Sequence, residues 1–310
     1  MPTIKNYLSL VKFSHTVFAM PFALIGFALA VRYGTPIKLL FQNPFDFHVN
    51  GQVMHGLNPA LKFYLKIFVL IIVCMVTARS AAMAFNRYLD RNFDAKNPRT
   101  ALREIPRGII SSPHALRFVI INCILFIIAT FFINKICFYL SPLALFVVLF
   151  YSYTKRFTPL CHLVLGMGLS LAPIGAYLAV TGEFAWLPLL FSFAVIFWVS
   201  GFDIIYALQD EDFDRENKLF SIPSAVGKKN ALSISSLLHV LSAICVIFAG
   251  WYGGFGWLYW IGVTVFTGIL ISQHSLGKRN DLSKVTLGFM TANGIASLVF
   301  SVFVISDIIF

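Results

Sequence analysis

The sequence predicts an all-α protein that crosses a membrane about nine times as a single domain over residues 1–310. Two observations carry this. Hydrophobic residues make up 58% of the chain and charged residues only 12%, and mean hydropathy is +0.81. A soluble domain has roughly 45–50% apolar and about 25% charged residues, so this chain has too few polar groups to cover a water-facing surface. The apolar residues also come in blocks near the ~20 residues that carry a helix across a bilayer, and helices satisfy their own backbone groups in lipid.

The first block, 13–32, follows Lys5 and Lys12 and is longer than the roughly 7–15 residues of a signal-peptide core. It reads as a retained span, although Ala28-Leu29-Ala30 resembles a cleavage site. A long connection, 33–62, contains Pro36, Pro44, Gly51, Gly56 and Pro59 and is expected partly at the membrane interface. Further spans are expected at 65–88, 115–134, 137–154, 160–180, 186–206, 231–250, 255–273 and 286–308. With the N-terminus inside, the outer segments hold only Arg32, Lys38, Lys62, Lys66 and Lys135, and most other Lys and Arg fall on inner segments. That positive-inside bias places the loops at 89–114, 207–230 and 274–285 in the cytoplasm and the C-terminus outside.

The net charge of +11 therefore reports topology. The basic residues sit in loops rather than along a stripe, which argues against a nucleic-acid partner. Cys74, Cys123, Cys137, Cys161 and Cys245 lie in or beside apolar blocks without a CxxC pair, as small buried hydrophobes rather than a disulfide framework or zinc site. Gly166-Met167-Gly168 reads as close helix packing. Ser14 and His15 lie in the first block, where the histidine reads as a packed or water-bonded side chain rather than as a catalytic base.

Of the 13 Asp and Glu, only Asp46, Glu183 and Asp307 lie outside the three inner loops and their flanks. In NRYLDRNFDAKNPRTALREIPRG, Asn86, Asp90 and Asp94 are spaced i, i+4, i+8, on one face of a helix. In DIIYALQDEDFDRENKLFSIP, Asp203, Asp210 and Asp214 are spaced i, i+7, i+11, again on one face, while Asp212 points away. An offset of 120 residues aligns Asn86, Asp90, Asp94 with Tyr206, Asp210, Asp214, which suggests a four-helix unit used twice. Carboxylates one turn apart repel each other, so two such sets at one depth invite a divalent cation. Mg2+ takes oxygen ligands and is commonly held by one or two carboxylates plus substrate phosphates, and the matching chemistry is binding and ionising a diphosphate.

NRYLDRNFD resembles the NxxxDxxxD motif of the UbiA superfamily of intramembrane prenyltransferases, and DIIYALQDEDFD resembles its second, DxxYAxxDxxxD. KNPRTALREIPRG, YSYTKRFT and the opening KFSHTVFAMPFAL add to the likeness, which covers essentially the whole chain and is strongest to the 4-hydroxybenzoate polyprenyltransferase-like branch. The resemblance implies a ring of nine helices around a central cavity open sideways to lipid, with the active site at the cytoplasmic face of a bacterial inner membrane. It implies two Mg2+ ions on a polyprenyl diphosphate, one held by Asp90, Asp94 and Asn86 and the other by Asp210 and Asp214.

A leaving diphosphate needs more positive charge than the metals bring, and Arg99, Arg103, Lys155 and Arg156 are the candidates. Tyr151, Tyr153 and Tyr206 are candidates to bond phosphate or face an allylic cation. Arg79 shares the face of Asn86 and Asp90 about two turns deeper, where an ionisable residue suggests function. It is expected to receive an acidic group of a small aromatic acceptor. Asp203, placed likewise below Asp210 and Asp214, is expected to orient or deprotonate a phenol, or to pair with Arg79. The expected reaction is prenyl transfer to 4-hydroxybenzoate or a related precursor of ubiquinone or menaquinone. Other acceptors in the same family are naphthoate, futalosine-type and haem precursors. The rival from another class is a secondary transporter, which places its charges near the midplane.

Overall fold

The computed structural model describes residues 3–11, 20–34, 46–49, 52–55, 58–277 and 282–310. Its helices are α1 (Ile4–Leu10), α2 (Met20–Gly34), α3 (Pro59–Lys96), α4 (Ser112–Ile133), α5 (Lys135–Thr154), α6 (Cys161–Thr181), α7 (Trp186–Ala207), α8 (Glu211–Glu216), α9 (Ile222–Tyr252), α10 (Trp257–Gly277) and α11 (Leu282–Ile309). A short antiparallel hairpin, β1 (Asp46–Val49) with β2 (Gln52–His55), pairs Asp46 with His55 in the connection after α2. Seven helical stretches among the described residues are long and apolar enough to cross a membrane, and the chain is a multi-pass integral membrane protein. Within the described residues each expected span falls on one helix; residues 13–19 of the first lie outside them. Ser14 and His15, and half of the expected interfacial connection, lie outside the described residues.

Three boundaries differ most from the expectation. The second span runs from Pro59 to Lys96 rather than over 65–88, and the seventh begins at Ile222 rather than 231. Hydropathy marks where a helix leaves apolar surroundings, not where its backbone hydrogen bonds end. Asn58 caps the start of α3 by accepting from the Ala60 N–H at 2.9 Å, with Pro59 in the first turn. At 38 residues the helix is about 57 Å long, longer than the ~30 Å apolar layer, and Asn86, Asp90 and Asp94 lie toward its C-terminal end. Ser221 starts α9 in a capping box with Ser224.

Two helix quartets follow one another. In the first, α3 packs on α4, α4 on α5 and α5 on α6; in the second, α7 packs on α9, α9 on α10 and α10 on α11. The α6–α7 contact joins them, and α2 wedges against α6 and α11. Phe22, Phe191, Trp198, Tyr259, Phe266 and Phe300 fill the core between α2 and the second quartet. Ile120, Ile121, Ile124, Leu125 and Ile128 of α4 are exposed, as a lipid-facing flank requires. A Cβ at Gly166 would lie 2.6 Å from the Ile196 carbonyl oxygen, so this glycine does bring α6 against α7. Gly168 makes only ordinary contact with Val148.

Candidate active site

A polar cavity of about 340 Å3 opens where α3, α5, α6 and α7 end on one side of the bundle. Twelve of the fourteen sequence-predicted site residues line it: Asn86, Asp90, Asp94, Asp203, Asp210, Asp214, Arg79, Arg99, Arg103, Lys155, Tyr151 and Tyr206. Of the other two, Arg156 stands behind Asp90 and donates to Asp90 Oδ1 (2.9 Å) and to the carbonyls of Leu89 and Ser152. Tyr153 is exposed and packs beside Arg156 instead of in the cavity. Asp212 is exposed, as expected.

The first motif lies on one unbroken helix, and Asn86 Nδ2 donates to Asp90 Oδ2 at 3.1 Å, one turn on. The second motif departs from the single helical face expected of it. Asp203 is in α7, which ends at Ala207; Leu208–Asp210 form a 3-10 turn; Asp214 is in α8. Asp214 is fully buried there and Asp210 is turned toward the loop that follows α3. The two acidic ends are thus arranged differently, although both reach the same cavity.

Each motif aspartate has its own cation. Arg103 bonds Asp94 at 2.6 Å, Arg156 bonds Asp90, Lys155 lies 2.7 Å from Asp214 Oδ1, and Arg99 pairs with Asp210. Arg99 also donates from Nη1 to the Tyr206 hydroxyl at 3.1 Å, and Asn97 donates to Asp210 Oδ1 at 3.2 Å. These contacts tie the loop after the first motif to the second. Burial alone would lower the Arg99 and Lys155 pKa values, but Asp210 and Asp214 respectively outweigh it and hold both above their ordinary values. Both cations stay charged across the physiological range. Gly108, in the same loop, sits at φ +71°, a left-handed turn that lets Ile110 anchor in the core.

The donor set suits Mg2+. Oδ2 of Asp94 and Oδ2 of Asp214 are buried without a hydrogen-bond partner, leaving hard oxygen donors on each acidic end. Among the described residues no three Asp, Glu, His or Cys side chains converge as a ready-made cage. Mg2+ needs none, because it is completed by waters and phosphate oxygens.

A second cavity, of about 470 Å3 and almost wholly apolar, runs between α3, α4, α5 and α6. It shares Arg79, Met83, Tyr151, Leu165 and Leu169 with the polar one. From Tyr151 to Cys137 it follows α5 for about 21 Å. Leu143 and Phe184, in its wall, are also 59% and 58% exposed on the outer surface, so the cavity opens sideways there.

Arg87, Asn97, Thr100, Ser152 and His162 also line the cavity and were not anticipated. Arg87 is buried in the polar cavity with Nη1 unpartnered; its place seven residues before Asp94 on the same helical face was the available signal. Asn97 carries no such periodicity. His162, at the start of α6, takes Asp203: its Nδ1 is 2.7 Å from Asp203 Oδ2. The anticipated alternative of an Arg79–Asp203 pair is not formed, and Arg79 keeps a buried, unpartnered Nε at the junction of the two cavities. An ionisable residue inside an apolar block signals function by itself, and that signal applied to His162 as well as to Arg79.

Residues 55–295 match the UbiA prenyltransferase family. The 4-hydroxybenzoate octaprenyltransferase of Tolumonas auensis is 30% identical over 224 residues, 72% of this chain and 78% of that protein. That of Francisella tularensis subsp. tularensis is 29% identical over 255 residues, 82% of this chain and 86% of that protein. A UbiA homolog from Aeropyrum pernix superposes with a TM-score of 0.77 at 29% identity, over 95% of this chain and 98% of that one. The fold is shared by a UbiA homolog from Archaeoglobus fulgidus bound to GPP and Mg2+, with a TM-score of 0.65 at 17% identity, over 98% of this chain and 99% of that one. By its family match, its fold and its paired aspartate motifs, the chain belongs to the UbiA prenyltransferase family, a family of transferases.

Proposed function

We propose that this protein transfers a polyprenyl group from a polyprenyl diphosphate to a small aromatic acid, 4-hydroxybenzoate or a related quinone precursor. The reaction is Mg2+-dependent and takes place at the cytoplasmic face of a bacterial inner membrane, within one domain. The observation that carries the reading is the meeting of a charged cavity and an apolar one at Arg79 and Tyr151. A polyprenyl diphosphate has the same two-part chemistry, and its allylic carbon belongs at the junction.

Asp90, Asp94 and Asn86 with Asp210 and Asp214 are the residues to hold Mg2+, whose chemistry is to polarise the diphosphate and offset its growing charge. Arg99, Arg103 and Lys155 turn from the carboxylates to the phosphate oxygens and stabilise the departing group. The tail lies in the apolar cavity and leaves sideways beside Leu143. Arg79, with an unpartnered buried Nε, receives the acceptor carboxylate, and Asp203 faces its phenol. The aromatic and apolar walls keep water from the allylic cation. The names of the Tolumonas and Francisella relatives support the acceptor.

The test is an acceptor screen with purified protein in lipid nanodiscs, Mg2+ and a long polyprenyl diphosphate. The expected product is a hydroxybenzoate prenylated on ring carbon. Prenylation of naphthoate, futalosine-type or haem precursors alone would replace the acceptor. No product from any of them, with folded protein, would overturn the reading. Arg79→Leu should raise KM for the carboxylate acceptor and leave acceptors lacking a carboxylate unchanged.

A further inference from the structure

His162 is 2% exposed and lies at the start of α6, beside the polar cavity. Both ring nitrogens are engaged. The Ile222 backbone N–H donates to Nε2 at 3.3 Å, so Nε2 carries no proton. Nδ1 must then carry the ring proton, and it donates to Asp203 Oδ2 at 2.7 Å. One backbone donor thereby selects the tautomer of a buried imidazole, and the imidazole fixes the carboxylate. Among the described residues Asp203 Oδ1 has no hydrogen-bond partner, and the side chain lines the cavity. The carboxylate can therefore accept one more hydrogen bond, from the cavity side.

The donor to Nε2 belongs to a strap. Residues 219–222 cross the gap between α5 and α6: the Leu219 N–H donates to the Asp214 carbonyl (2.8 Å) and the Phe220 N–H to the Lys155 carbonyl (2.7 Å). Ser221 caps α9, and Ile222 follows it. A single short segment thus touches Lys155, Asp214 and His162, the partner of Asp203.

We propose that His162 is a positioning residue: it holds Asp203 with Oδ1 toward the acceptor hydroxyl, so that Asp203 takes the phenol proton as the ring attacks. This rests on the phenolic-acceptor reading above. The allylic C–O bond breaks and its electron pair leaves on the diphosphate. The ring carbon beside the phenol gives a π pair to the allylic carbon while the phenol proton passes to Asp203. The resulting dienone loses its ring proton and regains one on oxygen, so one proton is released per turnover.

Two substitutions separate the two ends of the imidazole. His162→Asn places an amide N–H near the Nδ1 position and keeps a donor to Asp203. His162→Gln places an amide oxygen near Nε2 and keeps only the acceptor for Ile222. The substrates are a series of ring-substituted 4-hydroxybenzoates of graded phenol acidity, with prenyl diphosphate KM measured alongside. With His162→Gln, kcat for the least acidic phenols should fall about 10–100-fold, the usual effect of losing an orienting partner. The loss should shrink toward nothing for phenols already ionised at the assay pH. His162→Asn should stay within a few fold of wild type, and both variants should keep the prenyl diphosphate KM. An equal loss with every phenol, or a larger loss in Asn than in Gln, would overturn the proposal and leave His162 as an anchor of the strap. If wild-type protein prenylates no phenolic acid, the acceptor reading has failed instead.

Discussion

The two acidic ends reach one cavity by different means. The first is carried on α3, whose uninterrupted backbone sets Asn86, Asp90 and Asp94 one turn apart. The second is broken: α7 stops at Ala207, a 3-10 turn carries Asp210, and α8 begins afresh to bury Asp214. Helical periodicity spaces the first set, and Arg156 and Arg103 then pair with its Asp90 and Asp94. The second is positioned by what it touches, with Arg99 and Asn97 on Asp210 and Lys155 on Asp214. A rigid rod faces a segment held in place by its ion pairs, and substitutions should act on the two ends accordingly.

The largest difference should come from the rod. Arg91→Pro removes a backbone donor inside α3, between Asp90 and Asp94 near its C-terminal end, and clashes with the preceding turn, at about 3 kcal/mol or more. It should abolish activity and lower the unfolding temperature steeply in a thermal-shift assay. Intact activity would show that the first set does not depend on helix continuity. Next, Arg99→Ala releases Asp210 and Tyr206 together. Losing a bidentate charged contact should raise KM for the prenyl diphosphate about 10–100-fold, with the fold preserved by circular dichroism. Lys155→Met leaves the buried Asp214 unpaired, at about 1–3 kcal/mol, reduced because Lys155 is 35% exposed. Its effect on thermal stability should therefore be smaller than that of Arg91→Pro, although diphosphate binding weakens.

A further comparison sets the charged cavity against the apolar one. Ala144 lies on α5 about 10 Å deeper than Tyr151. Ala144→Phe should lower kcat/KM about tenfold or more for long polyprenyl diphosphates while sparing geranyl diphosphate, because a short tail ends before it. Equal loss with both would place the tail elsewhere. The smallest effect is expected at Gly108, whose φ of +71° disfavours any side chain. Gly108→Ala should destabilise by about 1–2 kcal/mol, read as a modest drop in melting temperature.

The rod was readable in the sequence because i, i+4, i+8 survives intact in α3. The break was not. Asp203, Asp210 and Asp214 keep a helical spacing across Leu208–Asp210, and nothing in LQD marks the change to a 3-10 turn. The ends of α3 and α9 were likewise hidden, since charged turns that stay helical through caps and ion pairs look like loop on a hydropathy scale. The cations of the site were recognisable as a group, but their one-to-one assignment to carboxylates depends on loop geometry. His162 stood in an apolar block with nothing in its neighbourhood to announce that its partner is 41 residues away.

The central claim is that both acidic ends act on one Mg2+–diphosphate group. It is tested most directly by a double-mutant cycle on Mg2+-dependent binding of a prenyl diphosphate, measured by calorimetry with wild type, Asp90→Asn, Asp210→Asn and the double variant. Shared action predicts that the double variant binds little worse than the weaker single, a coupling of about 0.5–3 kcal/mol. Losses that simply add would mean two independent sites, and would contradict the account.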